Sequence, residues 1–595
     1  MRTSLASLLL LAALPGAVGC KGKKNQEKPA AGSGSGTAAA GAGTAAGTGG
    51  SAGTGAPTDT TQSATTTASG ALKPVNECPP ALKDTDKGLS RTIPAGCVTS
   101  VEGEYYVDGE LIIEAGAVLR FKPDAALYVG YSDPSKLVIK GTPDKPVTFA
   151  SGGDPVPGAW RGVHLYEKAA RSQITGLVVE HANVALELDA SDVSIKDTTL
   201  RASKDVSVRI SNDVTLAAFD NVTFDQPGPM AMSLPPSAMI GLGAGNHLPP
   251  DTTVELRAGT AAASGTWPAL GAPVRVDGEV YIEAKAARPT ITLAAGATYK
   301  FDGAGALYAG YNEDGELKAA GTPDKPITFD SSTDAAPGAW DKGIVSYEHG
   351  TISLDHVVVK HGGADGAGAV RAQGGKLSIT GSTIAENTVG VSLDDSSQLV
   401  AFDGNTLKDN KDQGMIVRPR HLGSFGAGNT WNGQQLLVHN GNVETSATWA
   451  LQKDAAVVVD GELYVDGATV TIPAGARYLF SDSGGLFVGY NKDASLVAEG
   501  TATMRIVLQG QRDEVGAWKG LELDAHSVAS KLAHVSVRDS ANGCVRVNDG
   551  TATIDDLVGG KCETATLTWS CSAKVTQTNV TAEKPQKTAA QPPSC

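Results

Sequence analysis

From about Cys78 onward, apolar and polar residues alternate in short runs. Ala117, Leu119 and Phe121 alternate with Val118 and Arg120. Leu127, Val129 and Tyr131 follow, then Leu137 and Ile139, then Val147 and Phe149. A period of two predicts strands with one face buried. By that alternation Tyr131 shares the inward face with Leu127 and Val129, and Tyr128 faces out. Turn formers separate the runs, as in Lys122-Pro123-Asp124 and Gly141-Thr142-Pro143-Asp144. No amphipathic helix of useful length follows any strand, which argues against a sheet built from βα units.

The pattern recurs at long range. Ala115–Trp160 reads AGAVLRF, LYVGY, LVIKGTPDKPVTF and PGAW, and related strings appear twice more. Gly116, Gly296 and Gly475 lie 180 and 179 residues apart, and so do Tyr131, Tyr311 and Tyr490. Trp160, Trp340 and Trp518 lie 180 and 178 apart. A shorter period sits inside. Val184, Leu186 and Leu188 recur 22 residues on as Val206, Val208 and Ile210, and Val370 steps 21 to Val391. Three short strands in such a step are one coil of a solenoid. A single coil cannot bury its inward face, so its neighbours supply the core.

The order AGA.L.F, L.VG, L...GT...P.TF and GAW.G, followed by looser coils, resembles the right-handed parallel β-helix family with its pectate-lyase-like fold. The resemblance covers about Cys78–Cys571. It implies an all-β, right-handed parallel β-helix (β-solenoid) of three repeats, each about 180 residues, with coils of about 22 residues. Roughly twenty coils at the strand spacing make a rod of about 100 Å. One continuous rod and three abutting solenoids are both compatible with the spacing. The family holds lyases, hydrolases, adhesins and surface proteins of unassigned role, so the fold alone does not select an activity.

The N-terminus reads as a targeting segment: Arg2, the apolar run Leu5–Leu14, then Pro15-Gly16-Ala17-Val18-Gly19-Cys20. This resembles a bacterial lipoprotein signal, with Ala17 where that family prefers Leu. It implies lipidation of Cys20 after removal of residues 1–19. An ordinary secretory signal cut near Cys20 is the other reading. Residues 20–75 are rich in Gly, Ala, Ser and Thr and read as a disordered tether. As a coil of about 50 residues it reaches roughly 40 Å. Repeats at 76–250, 251–433 and 434–571 follow, with a tail or cap at 572–595.

Six cysteines remain beyond Cys20, and an exported chain uses an even number as disulfides. Cys78 and Cys97 are expected to pair. Among Cys544, Cys562, Cys571 and Cys595 the connectivity is open, with Cys544–Cys562 and Cys571–Cys595 the pairing favoured by proximity. No CxxC spacing or nearby His supports a metal, and no cofactor motif is found. The formal charge of −15 argues against nucleic acid and against a basic face on anionic lipid.

Several residues carry candidate chemistry. Trp160, Trp340 and Trp518 could stack sugars, but their place in a turn motif reads as corner packing. Tyr128, Tyr308 and Phe487, facing outward, are the candidate ligand-facing aromatics. Asp394-Asp395 and Asp555-Asp556 match the paired carboxylates of hydrolases only in composition, since adjacent strand residues point to opposite faces. Asp409-Asn410-Lys411-Asp412 is an acidic turn of the sort lyases use for calcium, and it carries its own Lys. His181 and His361 lie 180 apart, with Asp539-Ser540 near the third position. None of these makes a catalytic constellation, so no catalytic residue is assigned.

The expectation is an exported, lipid-anchored, non-catalytic β-helix at the outer membrane or surface of a bacterium. It would present a rigid face for adhesion, glycan binding or envelope interaction, with polysaccharide or other cell-envelope components as partners. A polysaccharide lyase or glycoside hydrolase of the same fold is the alternative.

Overall fold

A computed structural model describes residues 77–83, 90–584 and 589–591. Cys20, the signal and tether segments before residue 77, and Cys595 lie outside the described residues.

The chain winds into a right-handed parallel β-solenoid of about 20 turns. A representative turn runs Val98–Glu102, bends at Gly103, continues as Glu104–Val107 and then Glu110–Glu114, and returns as Val118–Phe121. Each strand pairs in parallel with its counterpart one turn on. Val101 pairs with Phe121, Tyr106 with Tyr128, and Ile113 with Ile139. The inward residues of successive turns therefore stack into one apolar lining, which extends from Leu82 to Leu567. That lining is the core, and each coil depends on its neighbours for half of it.

Large rings fill the lining at matching places. Trp160, Trp340 and Trp518 are buried and lie flat on Phe121, Phe301 and Phe480, with centroids 3.9, 4.4 and 4.1 Å apart. Each indole Nε1 donates to a backbone carbonyl, of Glu180, Lys360 and Arg538, so no donor is stranded. These tryptophans pack a corner and offer no surface to a ligand.

Polar ladders seal other corners. Asn246 and Asn429 both donate through Nδ2 to two carbonyls, Phe219 and Gly243 in one case, Phe402 and Gly426 in the other. Their Oδ1 atoms accept from the backbone N–H of Val222 and Asn405. Asn387 and Asn410 stack similarly, 3.0 Å from Nδ2 to Oδ1. Asn246 and Asn429 each end an Ala-Gly-Asn string, at 244–246 and 427–429, and that recurrence has a backbone-capping cause.

The solenoid is unbroken at the places where the long repeats meet. Met232 pairs with Val254, Val254 with Val274, and Val274 with Tyr299. Met415 pairs with Leu436, Leu436 with Val457, and Val458 with Leu479. Near the end, Lys574–Thr578 and Thr581–Ala582 pair with Thr551–Gly560, and Ala590–Gln591 with Leu567–Trp569, so the ladders run past Cys571.

Candidate functional site

The outer surface carries three clusters of aromatic rings, each built on adjacent rungs of one stack. The first begins where Glu104–Val107, Ala126–Val129 and Trp160–Leu165 pair side by side. Alternation turns Tyr106, Tyr128 and His164 outward, in register. Tyr106 lies 5.1 Å from Tyr128 and 5.4 Å from Tyr131 by ring centroid, and Tyr166 lies 5.0 Å from Tyr131. The second cluster repeats this with Tyr281, Tyr308, Tyr311 and Tyr347, at 5.4 Å (Tyr281–Tyr308), 5.5 Å (Tyr281–Tyr311) and 4.8 Å (Tyr311–Tyr347). The third holds Tyr464, Phe487 and Tyr490, at 5.0 and 5.6 Å from Tyr464. Asp524 follows Leu523 there as Tyr166 follows Leu165, so the fourth ring is replaced by a carboxylate.

The expectation that Tyr131 is buried is corrected. Tyr131, Tyr311 and Tyr490 are 57, 48 and 58 % exposed. The cause is the glycine before each. Gly130, Gly310 and Gly489 take φ of +74, +69 and +71°, which ends the strand and reverses the next side chain. A Cβ on Gly130 would also lie 2.3 Å from the backbone nitrogen of Ala169. Period-two counting does not pass through a left-handed residue. Tyr128 and Phe487 are half-buried outward residues, while Tyr308 is 6 % exposed because Tyr281 and Tyr347 cover it. The ring most open to solvent in each cluster is thus the tyrosine after the glycine.

Each cluster also holds a glutamate paired with a base. Tyr106, Tyr281 and Tyr464 donate their hydroxyls to Glu104, Glu279 and Glu462, two residues earlier on the same strand face. Burial and Glu104 push the Tyr106 hydroxyl up to about 12. The same glutamates pair with Arg161, Lys342 and Lys519, the first basic residue after each corner tryptophan. Hydrogen bonds from Lys519 and Tyr464 hold Glu462 below the usual carboxylate range. In the third cluster Glu462, Tyr464 and Lys519 line an open groove together with Asn440, Gly441, Asn442, Gly461 and Ser483. Alternation alone turns only one ring outward in each of the Leu-x-x-Gly-Tyr segments. The signal for the rest was present, as Glu-x-Tyr at 104–106, 279–281 and 462–464.

No protein-family model matches the chain, and no curated protein matches it.

Most of the remaining candidates are held by partners within the solenoid. Asp394 accepts from the backbone and hydroxyl groups of Ser396 and Ser397, and Asp395 faces Arg418 instead. Asp555 accepts from Thr578 and Asn579, whereas Asp556 binds Arg505 and His534, each at 2.6 Å. The two carboxylates do not converge. His361, 7 % exposed, spans Asp330 at 2.6 Å and Glu386 at 3.0 Å, and Lys300 and Lys360 neutralise those carboxylates from outside. His181 and Asp539 occupy the corresponding left-handed corners, with φ of +63 and +69°. Among the described residues, no group of three or more His, Cys, Asp or Glu could hold a metal ion, and no helix is long and apolar enough to cross a membrane. Disulfides join Cys78 to Cys97 and Cys544 to Cys562, with Cα atoms 5.4 and 5.3 Å apart.

Proposed function

We propose that this chain is a non-catalytic carbohydrate-binding solenoid, exported and held at a bacterial envelope by a lipid on Cys20. The carrying observation is the threefold recurrence of an outward ring cluster with a Glu–base pair beside it. Ring faces offer the apolar side of a sugar a stacking surface, and a paired carboxylate and cation can share hydrogen bonds with its hydroxyls. Paired strands fix Tyr106 and Tyr128 in the first cluster, Tyr281, Tyr308 and Tyr347 in the second, and Tyr464 and Phe487 in the third, which preorganises each site and lowers the ordering entropy opposing binding.

Two experiments test it. Affinity electrophoresis and titration calorimetry on a polysaccharide panel should show binding by the full chain. The variant carrying Tyr131→Ala, Tyr311→Ala and Tyr490→Ala should lose that binding while its circular dichroism is unchanged. Equal binding by that variant would remove the clusters from the account. Anchoring is tested separately: Cys20→Ser should abolish incorporation of a labelled fatty acid and release the protein from the membrane fraction, and continued retention would refute the lipid anchor.

A further inference from the structure

The three clusters do not form a row. The first lies on the stack that starts at Glu104–Val107. Seven pairings up that stack, through Trp160–Leu165, Ala182–Leu188, Val206–Ile210, Met230–Leu234 and Val254–Ala261, comes Val274–Ile282. This strand bends at Gly278, φ +97°. Its first half, Val274–Val276, continues the stack of the first cluster and then passes under Tyr299–Phe301, which is the buried tryptophan corner of the next repeat. Only its second half, past the bend, carries Tyr281 and pairs with Leu307–Ala309. The second cluster therefore sits on the neighbouring side of the rod.

The shift is made again. Seven pairings further, Ala456–Val465 bends at Gly461, φ +99°. Val458 and Val459 continue the second cluster's stack, and Leu463–Val465 with Tyr464 starts a third. Following the chain round this coil, Phe425 and Thr430 stack on Phe402 and Thr406, and Thr406 belongs to the continuation of the first cluster's stack. The third cluster comes one side after the second in that order and precedes the first cluster's side. Each of the three sides thus carries one cluster. Seven rungs at about 4.8 Å place successive clusters roughly 34 Å apart along the axis.

We propose that the protein cross-links neutral polysaccharide strands, one strand at each cluster. This rests on the carbohydrate reading above and adds the geometry and the charge of the ligand. A flat surface cannot meet three sides of a rod at once, so avidity for one plane is not what the arrangement serves. Three sites facing apart suit a mesh, with the rigid rod as the spacer. The cation of each cluster is already spent on its own glutamate, as Arg161 on Glu104, Lys342 on Glu279 and Lys519 on Glu462. Arg371, the second base of the second cluster, is half-buried beside Tyr308 and Tyr347 and donates to the carbonyls of Gly368 and Asp341. The bases beside the rings are thus engaged within the protein, and the net charge of −15 repels polyanions.

The test uses the whole exported chain with galactomannan, mixed-linkage β-glucan and dextran as neutral probes, and polygalacturonate and alginate as polyanions. Calorimetry reads binding and its stoichiometry; light scattering and low-shear viscosity read network formation. A neutral probe should bind with up to three sites per chain. Scattering should pass through a maximum as protein is added and fall in excess protein, when each strand is saturated separately. The variant with Tyr311→Ala and Tyr490→Ala should still bind, with the stoichiometry of one site, and should lose the scattering maximum. Absence of binding to every probe would overturn the carbohydrate reading itself. Binding without a network, or a network that persists when one cluster remains, would overturn cross-linking and leave carbohydrate binding standing. Binding of the polyanions alone would overturn the assignment of a neutral ligand.

Discussion

Trp340 lies on Phe301 with the ring planes 17° apart, and the indole Nε1 donates to the Lys360 carbonyl at 2.8 Å. One tryptophan thus ties three rungs: its own, the Phe301 rung below and the Lys360 rung above. Phe301→Ala would leave a void under a ring that cannot collapse into it. The expected cost is about 3–5 kcal/mol. In a rod whose coils contact only their neighbours, the loss should be local. Hydrogen exchange should speed up around Thr298–Phe301 and Ile327–Ser331 and stay unchanged near Leu567. Unaltered protection at Phe301 would contradict its place in the lining.

Gly130 offers a test of the backbone that exposes Tyr131. Gly130→Ala adds a Cβ 2.3 Å from Ala169 N at a φ of +74°, whereas Gly116→Ala, at +76°, meets nothing closer than 3.7 Å. Both substitutions incur the left-handed penalty of about 1 kcal/mol. Only the first also clashes with backbone. Chemical denaturation should show Gly130→Ala to be the more damaging of the two, and equal losses would mean that the contact relaxes freely.

Asp539 sets a pH dependence. It is 1 % exposed, and its Oδ1 has no hydrogen-bond partner among the described residues. Burial pushes its carboxyl up to about 6; Asp513 adds to this, while Arg538, Lys561 and the Gly510 N–H oppose it. An unfolded Asp titrates near ~4. Between these values the folded state keeps a proton that the unfolded chain has released. This contribution is full below the unfolded value and is lost as pH rises through about 6. Asp539→Asn should therefore match the parent at pH ~4 and exceed it by roughly 2 kcal/mol at pH ~8. Melting curves at the two pH values check this; parallel curves would refute the buried carboxyl.

The Cys544–Cys562 bridge closes a loop of 18 residues between the last buried rungs. A loop of that size contributes about 3 kcal/mol in the chain-entropy account. Replacing both cysteines by serine should fray the C-terminal coils first, with early proteolysis near Val545 and no change at Trp160. Uniform loss along the rod would instead imply all-or-none unfolding.

Much of this architecture was legible in the sequence alone. The alternation at Ala117–Phe121 predicts strands, the 21–24-residue step predicts coils, and matching GAW motifs predict corner packing, because stacking the same short pattern on itself buries the same positions each time. Three properties were decided only by the tertiary structure. Tyr131 is exposed because Gly130 is left-handed, and alternation is a rule for extended backbone alone. Tyr106 meets Tyr128, and Tyr128 meets Tyr166, because parallel pairing brings together rungs whose rings lie 22 and 38 residues apart in the chain. The clusters face different sides because each repeat hands its stack to another role at Gly278 and Gly461. A sequence period records how often a side chain recurs; the side on which it emerges depends on the bends accumulated between recurrences.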